Sequence, residues 1–192
     1  MVDGSLWATV ISVTITPDDK DWTWVLARAC PECGFDARGL DVEEMAQLIG
    51  GFARAWRQVL RRADVAVRPS SDKWSPLEYA CHVRDVFRLF DERLHLMIDH
   101  DGARFENWDQ DKTAIEDRYD LQDPLVVADE LDAAAEALGA RFGQVSGPLW
   151  DHRGLRSNGS EFTITTFARY FAHDPIHHLW DVGSDYVVPT AS

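Results

Sequence analysis

Trp74-Ser75-Pro76-Leu77-Glu78-Tyr79-Ala80-Cys81-His82-Val83-Arg84-Asp85 opens the most strongly signalled helix of the chain, and its reading decides the fold class. Ser75 suits an N-cap, Pro76 fits the first helical position, and Glu78, three residues after the cap, completes a capping box. Tyr79, Val83, Val86, Phe87, Phe90, Leu94 and Met97 then recur at helical spacing. They predict a helix running to about residue 99, with His82 beside its apolar stripe. Working outward, Asp41-Val42-Glu43-Glu44 signals an earlier helix, which continues through Met45, Leu48, Phe52, Trp56 and Leu60 and is weakened by Gly50-Gly51. Asp123-Pro124 opens another, with Leu125, Val127, Leu131, Ala135, Leu138 and Phe142 extending it to about residue 145. The last follows a run of threonines and carries Phe167, Tyr170, Phe171, His173, His177 and Trp180. Four amphipathic helices with few strand signals predict an all-α four-helix bundle.

The connections differ in character. Residues 99–122 form a long acidic linker, expected to run over the surface, and residues 147–161 a polar loop with Arg153, Arg156 and Asn158-Gly159. Alternating apolar residues at 7–15, and less clearly at 22–26, suggest a short strand or a flexible extension. The expected division is an irregular N-terminal extension over 1–40 packed on the bundle, a bundle domain over 41–185, and a tail over 186–192.

Composition narrows the function classes. With 192 residues and 45% hydrophobic residues, the chain can bury a full core. Its 33 acidic and 19 basic residues give a net charge of −14, which disfavours a nucleic-acid backbone as partner. No run of about 18 apolar residues implies a membrane span. Three cysteines do not read as a secreted disulfide framework, so a cytoplasmic location is expected. No Ser-His-Asp order or phosphate-cradling glycine loop points to nucleophilic or nucleotide chemistry.

The histidines carry the chemistry. His173 and His177 lie four residues apart, about 40° in helical projection, and so leave one face of the last helix. With His82 they offer three imidazoles, and three protein ligands with an open position suit a catalytic divalent ion such as Zn, Ni or Fe. Pro175 lies between the pair and is expected to kink a continuous helix. His178 ranks behind His177, about 100° further round. Asp85 and Asp181 have the spacing to orient ligand rings, although solvated helix charge is the simpler reading of both, and Asp174 is the alternative for that role or a cap for the proline kink. His95, His100 and His152 read as surface residues.

The stretch 74–85, followed late in the chain by His173-Asp174-Pro175-Ile176-His177-His178, resembles the DinB-like superfamily of bacterial four-helix-bundle metalloproteins. The shared pattern is W-S-x-x-E, a His about one turn later, then H-x3-H on the last helix, and it covers roughly residues 41–182. The resemblance implies a down-down-up-up bundle, often a homodimer, with a divalent metal held by His82, His173 and His177. It further implies S-transferase or isomerase chemistry with a low-molecular-weight thiol. The Trp/Arg/Ala/Asp-rich composition, Asp21-Trp22-Thr23-Trp24-Val25-Leu26 and Cys30-Pro31-Glu32-Cys33-Gly34-Phe35-Asp36 look similar to actinobacterial members, for which mycothiol is the expected thiol. Arg153 and Arg156 are candidates to bind a carboxylate of that thiol. The alternative is a non-enzymatic metal-binding stress-response protein of the same fold.

Cys30-x2-Cys33-Gly34 resembles one knuckle of a zinc ribbon without a second cysteine pair. It reads as a reduced loop pair, a local disulfide, or a half-site completed by Cys81, a histidine or another subunit. Cys81 itself reads as a small packed hydrophobe.

Overall fold

The computed structural model describes residue 15 and residues 20–187. Among these, five α-helices are present: α1 (Met45–Val59), α2 (Pro76–Asp99), α3 (Gln110–Glu116), α4 (Pro124–Phe142) and α5 (Ile164–Asp181). Three short strands, β1 (Ala103–Phe105), β2 (Arg153–Arg156) and β3 (Glu161–Thr163), complete the regular structure with several 3-10 turns. The expected tail lies mostly, and the expected strand over 7–15 almost wholly, outside the described residues.

The helix starts follow from local chemistry. Ser75 Oγ accepts from the Glu78 N–H (3.2 Å) while the Ser75 N–H donates to Glu78 Oε2 (2.8 Å), so two donors that a helix start leaves orphaned are satisfied. Thr163 and Thr166 form the corresponding box at the start of α5. Asp123 accepts from the Leu125 N–H (2.8 Å) ahead of Pro124 at the start of α4. A 3-10 turn at Val42–Glu44, capped by Asp41, leads into α1.

Helices α1, α2, α4 and α5 form the bundle. Each of α1 and α2 packs on both α4 and α5, the pairing of a down-down-up-up arrangement in which residues 60–75 make the long crossover. Trp56, Phe52, Phe87, Phe167, Phe171, Leu131 and Leu138 fill the centre and are all essentially inaccessible. Burying each such side chain contributes about 1.5–3 kcal/mol, which is why these faces dominate the packing.

Three segments differ from expectation. Residues 22–26 form a 3-10 turn capped by Asp21, not a strand, because Val25 alone buries fully while the other positions lean on α5. The linker after α2 is not only a surface excursion: it supplies β1, α3 and the fully buried Tyr119, whose hydroxyl donates to Asp85 Oδ2 (2.5 Å). The polar loop before α5 begins as a 3-10 turn (Gly147–Asp151) and continues into β2 and β3. β2 pairs parallel with β1 (Ala103↔Gly154) and antiparallel with β3 (Leu155↔Glu161). Gly154 lets this sheet close on α2, since a Cβ there would come within 2.7 Å of both Met97 Sδ and Phe105 Cε1.

Candidate metal centres

Helix α5 runs unbroken through Pro175, whose missing N–H withholds the donor that the Phe171 carbonyl would otherwise have. Continuity matters because it places His173, Asp174, His177 and His178 on two adjacent stripes. Residues 173 and 177 share one stripe; 174 and 178 share the next, about 100° away.

The described residues contain two groups of metal-ligating side chains whose donor atoms lie within 4.8 Å of one another. One joins His82 of α2 with Asp174 and His178 of α5. The other joins His173 and His177 with Cys30 and Cys33 of the N-terminal segment. The three histidines expected to act together are thus divided: His82 goes with the 174/178 stripe, because that stripe faces α2, while the 173/177 stripe faces the packed N-terminal segment. The spacing signal was present in the sequence, since Asp174-x3-His178 has the same period as His173-x3-His177.

In the first group, His82 Nε2 lies 3.3 Å from Asp174 Oδ2, and His178 Nε2 lies 3.9 Å from the same oxygen. His178 Nδ1 donates to Asp181 Oδ2 (2.9 Å), which orients the ring with Nε2 toward Asp174. Asp181 also lies 3.5 Å from Lys73. Burial opposes ionisation of Asp174, but the charges of His82 and His178 and the His82 hydrogen bond hold its carboxyl down at about 2. Asp174 Oδ1 is buried without a hydrogen-bond partner among the described residues, which a bound cation would relieve; His82 Nδ1, the ring nitrogen other than the one nearest Asp174, is also buried without one. Asp85, by contrast, is held by Arg84, Arg88 and Tyr119.

In the second group all four side chains are buried. Cys30 Sγ lies 3.6 Å from His177 Nδ1, while the other nitrogen of that ring, Nε2, lies 3.4 Å from Glu32 and 3.8 Å from Asp181. His173 Nε2 is buried without a hydrogen-bond partner among the described residues. Burial, reinforced by His177, lowers His173 to about 4, and burial also lowers His177, so both rings are neutral near pH 7. Burial pushes the Cys33 thiol up to about 12. All three cysteines are free, and Cys81 is buried with Sγ donating to Gln122 Oε1 (3.4 Å).

A cavity of about 490 Å³ opens over the first group, with His82, Asp174 and His178 in its wall, and it also reaches His173 and His177 of the second. Trp108 stacks on His82 at 5.3 Å and Tyr79 lies 4.8 Å from His178. At another part of the wall stand Arg93 and Arg156. Arg93 is buried, donates to the Glu106 carbonyl (2.6 Å), and is lowered to about 10 by burial and by Arg156. Arg156 lies over Tyr170 and Phe162, each at 5.6 Å. Arg153 is exposed, pairs with Asp101 (3.2 Å) and is not part of the wall. Arg93 did not emerge from the sequence, yet it follows His82 by eleven residues, only about 20° round the same helix face. His152, expected on the surface, is half-buried against the Met97 carbonyl (2.9 Å).

Two donor groups on one bundle helix, beside a cavity, are the setting in which a match to a family model over residues 53–182 has meaning. The chain belongs to the DinB superfamily. Two solved structures share the DinB fold. YfiT from Bacillus subtilis, described as a probable metal-dependent hydrolase with an unusual four-helix bundle topology, aligns with TM-score 0.64 at 11% identity, covering 88% of this chain and 91% of YfiT. A mycothiol-dependent maleylpyruvate isomerase aligns with TM-score 0.61 at 14% identity, covering 78% of this chain and 63% of the isomerase. No curated protein sequence matches this DinB chain. No helix among the described residues is long and apolar enough to cross a membrane.

Proposed function

We propose that this protein is a metal-dependent S-transferase that activates a low-molecular-weight thiol, with mycothiol the best-fitting candidate, at a divalent ion held by His82, Asp174 and His178. The observation that carries this reading is the three-donor group in the wall of a 490 Å³ cavity, with Asp174 Oδ1 buried and without a hydrogen-bond partner among the described residues. Two imidazoles and a carboxylate are a donor set for Zn, Ni or Fe(II). On this reading the ion is held by His82, one of the three histidines expected from the sequence, with Asp174 and His178 rather than with His173 and His177.

When bound, such an ion lowers the pKa of a coordinated thiol, so that it stands as thiolate near pH 7. The remaining work falls to the chain. Asp181 fixes the tautomer and orientation of His178. Trp108 and Trp74, packed on His82, cover its ring with apolar surface. Arg156, stacked on Tyr170, presents a planar guanidinium for a carboxylate of the thiol or of the electrophile, with Arg93 adding positive charge behind it. Arg153 has no such place, being engaged with Asp101 at the surface.

The test is thiol-dependent consumption of an electrophilic substrate such as maleylpyruvate or a chloroarene by untagged, metal-loaded protein. Turnover with mycothiol that is lost in His178→Ala supports the reading. Absence of turnover with mycothiol, bacillithiol and glutathione, with metal shown to be bound, overturns it and leaves a non-enzymatic metal-binding role.

A further inference from the structure

We propose that Cys30, Cys33, His173 and His177 form a second metal site, closed and structural, that takes a zinc-class ion and clamps the N-terminal segment onto α5. The inference is independent of the S-transferase reading, because none of its ligands belongs to the group assigned there.

The donor set is the first argument. Two thiolates and two imidazoles make a complete tetrahedral set for Zn, with no position left for water or substrate. The four residues are buried, at 2%, 8%, 5% and 6% exposure, and their donor atoms lie within 4.8 Å of one another. Zn–S and Zn–N bonds of about 2.3 and 2.05 Å at a tetrahedral angle put sulfur and nitrogen about 3.5 Å apart. Cys30 Sγ and His177 Nδ1 are separated by 3.6 Å.

The second argument comes from what surrounds the donors. His177 directs Nδ1 at Cys30 while Nε2 meets the carboxylates of Glu32 and Asp181, the orientation in which a ligating imidazole is held by an acidic partner. His173 Nε2 is buried and has no hydrogen-bond partner among the described residues, although its ring is packed against Trp22 and Phe35. A neutral imidazole nitrogen so placed is either an uncompensated cost or a ligand.

The third argument is the loop itself. Gly34 at φ +76° lets the chain reverse after Cys33, so that the Gly34 N–H donates to the Cys30 carbonyl (2.9 Å) and the Cys30 N–H to the Phe35 carbonyl (2.9 Å). This is the local geometry of a metal knuckle, and α5 supplies from a distant part of the chain the two ligands that a second knuckle would provide. Binding releases the thiol protons to solvent as the ion takes their place.

The clamp has a consequence for the cavity. It fixes residues 173 and 177, and with them the orientation of 174 and 178 on the same helix. It also anchors the segment carrying Trp22, which forms part of the cavity wall.

The test uses the full-length, untagged protein loaded with Co(II) and, separately, with Zn(II). Expected are an intense thiolate-to-cobalt charge-transfer band with tetrahedral d–d absorption, persistence of that band in His82→Ala, and its loss in Cys30→Ser/Cys33→Ser. X-ray absorption at the zinc edge of the His82→Ala protein is expected to show two sulfur and two nitrogen neighbours; it keeps the proposal testable if the double serine variant fails to fold. Cobalt bound without a thiolate band, a band that persists without Cys30 and Cys33, or a Cys30–Cys33 disulfide in protein purified under reducing conditions would each overturn the proposal. Because His82→Ala lacks the open site, the result stands whether or not the wild type turns over a thiol.

Discussion

On α5, residues 173 and 177 meet two cysteines from the N-terminal segment, whereas residues 174 and 178 meet His82 from α2. The cysteine-containing group has four side chains each less than a tenth exposed and two soft sulfur donors, with only its histidines reaching the cavity wall. The second mixes nitrogen and oxygen donors, keeps Asp174 and His178 half-buried, and opens to a cavity. One helix therefore carries a site suited to permanent closure and another suited to exchange, separated by one residue of register. The difference teaches that H-x3-H on a helix specifies a pair of ligands but not their function. The function is set by which element the stripe faces and by what that element contributes.

The largest test of this contrast is His82→Ala. It is expected to lower kcat/KM for thiol transfer on the order of a thousandfold, about 4 kcal/mol, while the cobalt–thiolate absorption stays unchanged. Loss of both signals together would break the separation of the two groups. Next is Cys30→Ser/Cys33→Ser, expected to cost about 4 kcal/mol of unfolding free energy in chemical denaturation of the zinc-loaded protein. Limited proteolysis is expected to cut first within residues 20–40, since the 3-10 turns there pack chiefly on α5. Unchanged stability and cleavage would show that the closed group holds nothing.

The bundle was legible because its signals are local. Ser75 and Glu78, or Asp123 and Pro124, announce a helix within four residues, and apolar spacing then fixes the buried face. The site was legible only in part, for the opposite reason. That His82 and the last helix converge follows from the fold, but the choice between 173/177 and 174/178 depends on a rotation of α5 that no local pattern encodes. The histidine completion of the Cys30 half-site spans 147 residues of sequence and could be weighed only as one alternative among several. β1 and β2 were missed because strands of three and four residues, one of them parallel to a partner some fifty residues away, give almost no period to read.

A smaller effect tests the frame beneath the open group rather than its ligands. Burial would raise the Glu78 carboxyl, but Arg68 and the hydrogen bonds from Ser75 more than offset that and hold it below the usual range. A carboxyl depressed in the folded state stabilises fully above its unfolded pKa of about 4.3 and loses that contribution as pH falls through the folded value. Glu78→Gln is therefore expected to cost about 2 kcal/mol at pH 7 and progressively less below pH 4, read from denaturation midpoints. Because Glu78 stands one turn before His82 on α2, the substitution is expected to weaken metal retention at the open group and leave the cobalt–thiolate band intact.

The smallest expected effect sharpens the contrast at β2, where two arginines of one strand have different surroundings. Arg156 is half-buried over Tyr170 and lines the cavity, so Arg156→Ala is expected to raise KM for the thiol about tenfold, close to 1.4 kcal/mol, with kcat little changed. Arg156→Lys should recover only part of this, since an ammonium retains charge but not the planar, stacked donor pair. Arg153→Ala removes an exposed pair with Asp101 and is expected to leave both constants unchanged within twofold. If Arg153→Ala raised KM as Arg156→Ala does, the substrate would reach beyond the cavity wall and across the outer face of β2. If neither variant moved KM, the positive charge that matters would be that of the buried Arg93. Its place three turns after His82 on α2 would then tie anion binding and metal binding to a single helix face.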